Sequence, residues 1–522
     1  MERRGFIKKA VSAFGLLVVT SKWFYVKGNV CNMPYKRHIA SVSLFTDVKW
    51  EQTKRVPLGW PVFAVAGTEN EGRGSVILKF PDLTHNENDF YFRICSAIDI
   101  REELSIGVWL PESNTQIGCF DIKYAHPFQP FEVLIPRKYI KEIIHQGLEI
   151  KMHEGKKEGW FISSGNASVA SGLQPQIMSG IYPGKADQLF ASLFSMNSLS
   201  PFGWLGGCVY DALLESTNRG SLEAKRTLEK QLSFFLDDSK GVNFEDPHTR
   251  PVVGRFHSIE DLLPLAAIVS LYPKHPSVQL AVDYCLSISD EMDLMANSSH
   301  VTSEGCYTLA YPLAKIAISR NDKELARLAV KQLDLRIDLL STEDVVSQSS
   351  YLRDDLTRHT GFDNWGRGIT WYLLGIVKTI YLLENSELSG FIATEKAKNE
   401  FLRAINWVCK YQDDSGSWNS YINRPETLPD STTTCGIALA MAWGIQAKWL
   451  SEEPYLPKAL MARSWLRNQL TADGFLQGIS QINRGGEQLQ ANGYRVISQF
   501  GMGLLAQLEC IIASETKEYH MQ

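Results

Sequence analysis

Ile369-Thr370-Trp371-Tyr372-Leu373-Leu374-Gly375-Ile376-Val377-Lys378-Thr379-Ile380-Tyr381-Leu382-Leu383 is apolar on nearly every side of a helical wheel. A helix without a polar face must be surrounded by protein, whereas a helix with one apolar stripe lies at a surface. Leu262 to Leu271 and Gly436 to Trp449 read in the same way. Interleaved with them are segments that have a single apolar face: Ser277 to Met292, Asp322 to Leu340 and Thr394 to Tyr411. Such alternation means helical hairpins with one member inside and one outside. About a dozen helices fit between Ala191 and Ala513, which makes about six hairpins. The pattern predicts a closed helical toroid, with a plain solenoid as the structural alternative.

Upstream the periodicity changes. From about Ser41 to Gly165 the chain carries short alternating or β-branched runs: Val62 to Ala66, Ser75 to Phe80, Phe90 to Cys95, Ser105 to Leu110 and Phe131 to Ile135. Turn residues separate them, as at Glu69-Asn70-Glu71-Gly72 and Glu112-Ser113-Asn114. Short strands at this spacing suggest a β-sandwich. This half shows no catalytic constellation and reads as an accessory domain. Gly, Pro and Ser then accumulate, as in Ser171-Gly172-Leu173-Gln174-Pro175 and Tyr182-Pro183-Gly184, which predicts a linker.

At the N-terminus, Arg3-Arg4-Gly5-Phe6-Ile7-Lys8-Lys9 precedes the apolar run Ala10 to Val19. Paired arginines before a short hydrophobic stretch describe an export signal of the twin-arginine kind. The run is too short for a membrane span, which needs about 20 apolar residues. The boundaries expected are a signal at 1–28, a β-rich domain at 29–170, a linker at 171–190 and the helical domain at 191–522. A periplasmic or otherwise exported location follows from that signal.

The chain of 522 residues carries a formal charge of -5, so no global field favours nucleic acid. Nine cysteines without a Cys-x-x-Cys pair argue against a disulfide framework or a zinc site. Six of them (Cys208, Cys285, Cys306, Cys409, Cys435 and Cys510) lie in apolar helical runs and read as small buried hydrophobes. No metal or organic cofactor is implied, no integral span is expected in the mature chain, and an oligomer is compatible with the sequence.

Asn364-Trp365-Gly366-Arg367-Gly368-Ile369-Thr370-Trp371-Tyr372 leads into the helix quoted first. It resembles the Trp-Gly-Arg-x-x-x-Trp segment of the unsaturated uronyl hydrolases, the glucuronyl and rhamnogalacturonyl enzymes. Further on come Asp414-Ser415-Gly416-Ser417-Trp418, Pro425-Glu426-Thr427, Asp430-Ser431-Thr432 and Gln499-Phe500-Gly501-Met502-Gly503-Leu504-Leu505. Their order is similar to that of the family. The resemblance covers about 300 residues of the helical part and none of the β-rich half, and it implies an all-α (α/α)6 toroid there; with the strand pattern upstream the chain reads as multidomain, an N-terminal all-β, sandwich-like domain followed by that toroid. The resemblance also implies a glycoside hydrolase related to exo-β-glucuronidases.

The family carries an aspartate at the start of two adjacent inner helices, and the second donates the proton. Here the matching starts are His257-Ser258-Ile259-Glu260-Asp261-Leu262 and Thr302-Ser303-Glu304-Gly305-Cys306-Tyr307, so the resemblance makes Asp261 and Glu304 the catalytic pair. Glu304 departs from the family by one methylene, and Glu260 competes with Asp261 through a one-residue shift in register. Sugar cleavage needs a carboxylic acid that stays protonated near neutral pH, and burial or a neighbouring carboxylate provides one. The structural reading is that both residues are helix-capping acids. Trp365 and Trp371 are candidates for stacking on a sugar, and Arg367 for pairing with its carboxylate. The structural alternative puts Trp365 in the core and pairs Arg367 with Asp363 or Asp355. Arg353, His257, His359, Tyr494 and Arg495 are candidates for the rim of the site.

The expected activity is removal of a non-reducing terminal uronic acid from an oligosaccharide. It would proceed either by hydration of an unsaturated uronate or by a two-carboxylate mechanism on a saturated one. The alternative is a non-catalytic carbohydrate-binding protein on a degenerate hydrolase fold. On this reading Glu304→Gln abolishes turnover while the melting temperature stays unchanged. Retained turnover in that variant excludes Glu304 as a catalytic acid.

Overall fold

The computed structural model describes residues 35–45, 48–69, 74–86, 88–297, 300–352 and 358–515. The proposed export signal lies outside them. Residues from Pro34 onward form one compact unit.

The β-rich part is antiparallel throughout. β1 (Tyr35–Ile39), β11 (Gln176–Gly180), β5 (Asp89–Cys95) and β8 (Pro130–Ile135) form one sheet in that order. β2 (Ser41–Phe45), β4 (Ser75–Lys79), β9 (Leu148–Glu154), β6 (Glu103–Leu110) and β7 (Thr115–Lys123) form a second. β3 (Val62–Val65) pairs with β10 (Gly159–Ile162). Aromatic side chains bring strands of the two larger sheets into contact, Phe92 lying edge-on to Phe120 with ring centroids 5.3 Å apart. Alternation on β4 and β7 puts apolar residues inside and polar ones outside, as expected of half-buried strands. A short helix, α1 (Ile140–Gln146), connects β8 to β9.

The stretch 171–190 is not a linker. It contains β11, which is hydrogen-bonded on both edges, to β1 and to β5. All five of its residues are buried, so no alternation marks the strand in the sequence. Gln176 donates its side-chain amide to the Ser171 and Gln174 carbonyls.

The helical part closes on itself. The inner helices are α3 (Trp204–Asn218), α5 (Leu265–Leu271), α7 (Tyr311–Arg320), α9 (Gly366–Glu384), α11 (Ser431–Gln446) and α14 (Gln499–Glu515). Each packs on the next, and α14 returns to α3, so the ring is a toroid and not an open solenoid. The outer layer is α2 (Ala186–Leu193), α4 (Leu222–Leu232), α6 (Pro276–Ser287), α8 (Lys323–Leu340), α10 (Glu395–Val408) and α12 (Glu452–Arg467). α9 and α11 are buried almost along their whole length, whereas α8 and α10 expose one face, as their sequences require. No described helix is long and apolar enough to cross a membrane.

Loops at the N-terminal ends of the inner helices carry small strands. β12 (Leu236–Asp237), β13 (Gly241–Glu245) and β14 (Pro251–Val253) precede α5. β15 (His300–Thr302), β16 (Ser347–Leu352) and β17 (Arg358–Asp363) flank α7 and α9. β18 (Ile479–Ser480), β19 (Arg495–Val496) and the short α13 (Gly486–Ala491) lead into α14.

The toroid's centre is filled. Lys378 of α9 forms an ion pair with Asp211 of α3 and donates to Gln507 of α14 at 3.0 Å. Tyr307 and Tyr311 donate to the same aspartate. Above this cluster Trp371 stacks on Tyr307, with centroids 5.9 Å apart, and meets Trp204 edge-on.

The β-rich part is fixed to the toroid by a second buried ion pair. Arg93 of β5 reaches both oxygens of Asp473, each at 2.8 Å, and neither side chain touches solvent. Arg37 adds a 2.7 Å bond to Asp473 and Thr471 another at 2.8 Å. These partners hold the Asp473 carboxyl far below its ordinary value of 3.8. The contribution is therefore present above pH 3.8 and is lost as pH falls through the lower folded value. Arg93→Met leaves Asp473 buried with a single cation, so urea unfolding should give a loss of about 3–5 kcal/mol. Arg93 also pairs with Glu132, so adding Asp473→Leu to that variant removes one of two stranded carboxylates and should recover only part of the loss.

Candidate active site

At one end of the toroid a pocket of about 160 Å³ opens between the loops. Phe202 and Trp204 form part of its wall, Glu260 and Asp261 lie in it, and Arg484 faces them. Pro57, His126 and Pro127 of the β-rich part complete the lining, so that part contributes to the pocket itself and not only to packing. His126 is buried, and desolvation pushes its imidazole down to about 4, leaving it neutral near pH 7. Its Nε2 lies 3.2 Å from the Ser498 hydroxyl.

Glu260 and Asp261 sit on a 3-10 turn, Ile259–Leu262, that leads into α5. Asp261 faces back along the chain. Its Oδ2 accepts the backbone N–H groups of His257 at 2.7 Å and Ser258 at 2.9 Å. With Ser258 it forms a capping box, so the capping reading describes this residue. Burial nevertheless lifts its carboxyl to about 6. Gly203, at φ +105°, lets the chain before α3 pass over this turn, and a Cβ there would lie 3.4 Å from Asp261 Oδ1.

Glu260 differs. Among the described residues, the hydrogen bond found for it is made by its backbone N–H, to the Ser258 hydroxyl. Burial, then the charges of Glu304 and Asp261, raise its carboxyl to about 8. It is therefore a carboxylic acid, not a carboxylate, at neutral pH, with its side chain in the pocket.

Glu304 lies behind Glu260, 8% exposed, and does not itself line the pocket. Gln348 of β16 donates to both of its oxygens, at 2.9 and 2.8 Å. Burial raises its carboxyl as well, against the opposing pull of Gln348 and Arg367. The next turn, Cys306–Ala310, is π-helical. Its extra residue rotates the acid relative to an uninterrupted helix, a device common at functional sites. Arg336 holds this start in place by donating to the carbonyls of Thr302 at 3.2 Å and Met295 at 2.7 Å. Gly305 permits it, since a Cβ there would lie 2.2 Å from Arg336 Nε.

The other candidates serve mainly structural contacts. Arg367 is buried and donates to the carbonyls of Ser480 at 2.8 Å and Gln481 at 2.7 Å, so its terminal nitrogens are spent on β18 and the residue after it. Its guanidinium covers Trp365, which is 1% exposed and belongs to the core. Among the described residues Asp363 is not its partner, since it accepts from the Ser347 hydroxyl, and Asp355 lies outside them. Arg495 donates to the carbonyls of Pro429 and Leu428, and Tyr494 to that of Asp121. Trp371 is buried beneath Trp204. His257 is exposed, and His359 stacks on Tyr351 in the β15–β17 sheet. Arg353 lies outside the described residues. Sequence reasoning missed Trp204, His126, Gln348 and Arg484. The signal for Arg484 was a basic residue in the Gly-rich turn Asn483-Arg484-Gly485-Gly486 before the last inner helix.

Residues 310–515 match the family model Glycosyl Hydrolase Family 88, in agreement with the resemblance carried by the Trp365–Arg367 and Asp430 segments. Among solved structures, the family 105 glycoside hydrolase of C. acetobutylicum ATCC 824 superposes with a TM-score of 0.53 at 14% identity, covering 63% of this chain and 99% of that one. A possible member of the same family from Klebsiella pneumoniae subsp. pneumoniae MGH 78578 gives 0.53 at 14% identity, covering 68% and 96%. The unsaturated glucuronyl hydrolase of Bacillus sp. GL1 gives 0.47 at 14% identity, covering 63% and 96%. No curated protein matches the chain. The first two superpositions carry the argument for the toroid.

The raised value of Glu260 has a consequence for stability. The unfolded side chain ionises near 4.5 and the folded one near 8, so folding stability falls as pH rises between those values. Glu260→Gln removes that loss. Melting curves should place the variant increasingly above the parent from pH 4.5 to pH 8, and a constant gap would mean that Glu260 is not held protonated.

Proposed function

We propose that this protein is an exo-acting glycoside hydrolase that removes a terminal uronic acid from an oligosaccharide, with Glu260 as the proton donor. The observation that carries the reading is a carboxylic acid, protonated at neutral pH, in a pocket with an aromatic wall and one arginine. The small volume favours a single terminal ring over an extended chain. The relation to Glycosyl Hydrolase Family 88 supports the reaction class. We read the β-rich part as a sandwich-like layer that closes one side of the pocket, and the N-terminal arginine pair as an export signal.

In this mechanism Glu260 gives its proton in the first step and takes one back from water. With a saturated uronide the proton goes to the leaving oxygen as the glycosidic bond breaks, and water attacks the anomeric carbon and passes its proton to the Glu260 carboxylate. With a 4,5-unsaturated uronide the proton goes to C4, water adds at C5 and passes its proton to the Glu260 carboxylate, and the resulting hemiketal opens with release of the alcohol held at C1. Glu304 is the second carboxyl group in both routes. Its proximity helps to raise the Glu260 carboxyl, and Gln348 fixes its orientation. Asp261 shapes the turn that presents Glu260.

The test uses a matched pair of β-linked glucuronyl disaccharides, one saturated and one 4,5-unsaturated, with chromatography of the released sugar. Release from either supports the proposal and identifies the route. Glu260→Gln should lower kcat by about 10²–10⁴-fold on the active member. Release from neither, with the parent protein folded, favours a binding protein on a hydrolase fold.

A further inference from the structure

We infer that Arg484 is the residue that recognises the sugar carboxylate and so makes the pocket selective for uronic acids over neutral sugars. The inference rests on the uronic acid reading above and names the group that would enforce it.

The argument begins with charge. Four acidic residues line the pocket: Glu245, Asp246, Glu260 and Asp261. Arg484 is the only Lys or Arg in the lining formed by described residues. A carboxylate entering such a pocket needs that cation, since an unpaired buried charge is strongly unfavourable. Three of the acids already have partners. Glu245 pairs with Arg55, Asp246 accepts from Arg250 and from the His248 backbone, and Asp261 accepts two backbone N–H groups. Glu260, the fourth, is neutral near pH 7 and does not repel an anion.

Arg484 is only half used. Its Nη2 donates to the Pro247 carbonyl at 2.9 Å. Its Nη1 is buried and has no hydrogen-bond partner. A buried guanidinium nitrogen without an acceptor is costly to fold, so the side chain gains by turning toward a carboxylate in the pocket that it lines. Arg101 donates to the same Pro247 carbonyl at 2.7 Å and is itself held by Asp99 at 2.8 Å. The β-rich part thus fixes the position from which Arg484 reaches the pocket. By contrast Arg367, the arginine carried by the family motif, spends its terminal nitrogens on backbone carbonyls.

Calorimetric titration of the full protein with D-glucuronate, its methyl ester and D-glucose tests this without requiring turnover. The parent should bind glucuronate at least ten-fold more tightly than the ester or glucose. Arg484→Met should abolish that preference while leaving glucose binding within about two-fold, and Arg484→Lys should keep part of it by retaining the charge. A parent without preference, or an Arg484→Met variant that retains it, overturns the inference. A parent that prefers glucuronate but cleaves no uronide removes the hydrolase reading and leaves the role of Arg484 standing.

Discussion

The two-pronged contact between Arg93 and Asp473 joins the middle of a β-sheet to the loop that follows α12, and both charges are out of water. Desolvating two ions costs about as much as their attraction returns, so the pair contributes little net stability and much geometry. Other contacts repeat the register it sets. Gln481 donates to the Lys123 carbonyl at 2.8 Å, Gln499 to that of Phe128 at 2.8 Å, and Tyr494 to that of Asp121 at 2.8 Å. Together they bring the His126–Pro127 loop to the mouth of the toroid. Without that seating the pocket would lose one wall.

The toroid supplies the floor. Lys378, Asp211, Tyr307, Tyr311 and Gln507 tie inner helices together across the axis, and Trp371 and Trp204 stack above them. Polar groups in such a position must all be satisfied, and these satisfy one another. The acids near the pocket are in the opposite situation. Glu260 and Glu304 are close enough to resist simultaneous ionisation, and only Glu304 has a side-chain donor across both oxygens. That asymmetry distinguishes their surroundings: Glu304 is fixed by a donor, and Glu260 faces the pocket.

The helical architecture was legible because burial writes itself into periodicity. Ile369 to Leu383 could only be an inner helix, and Asp322 to Leu340 only an outer one. β11 was hidden for the complementary reason, because a strand buried on both faces carries no alternation and its Ser and Gly mimic a linker. At the site the sequence pointed to the turn that carries Glu260 and Asp261 and left the two one residue apart in register. Only the hydrogen bonds separate them, since Asp261 caps its own turn and Glu260 does not. The arginine of the motif stood out in the sequence, yet its nitrogens meet carbonyls that lie more than 100 positions further along the chain, a distance no local pattern encodes.

The central claim is that a carboxylic acid on a 3-10 turn, kept protonated by burial and by a second acid, performs the chemistry. The pH dependence of kcat/KM on the cleaved uronide reports the state of that acid in the free enzyme. The account predicts an alkaline limb with an apparent value of about 8, which shifts downward in Glu304→Gln as the neighbouring charge is removed. Activity that is level through pH 9, or a limb that Glu304→Gln leaves in place, would contradict it.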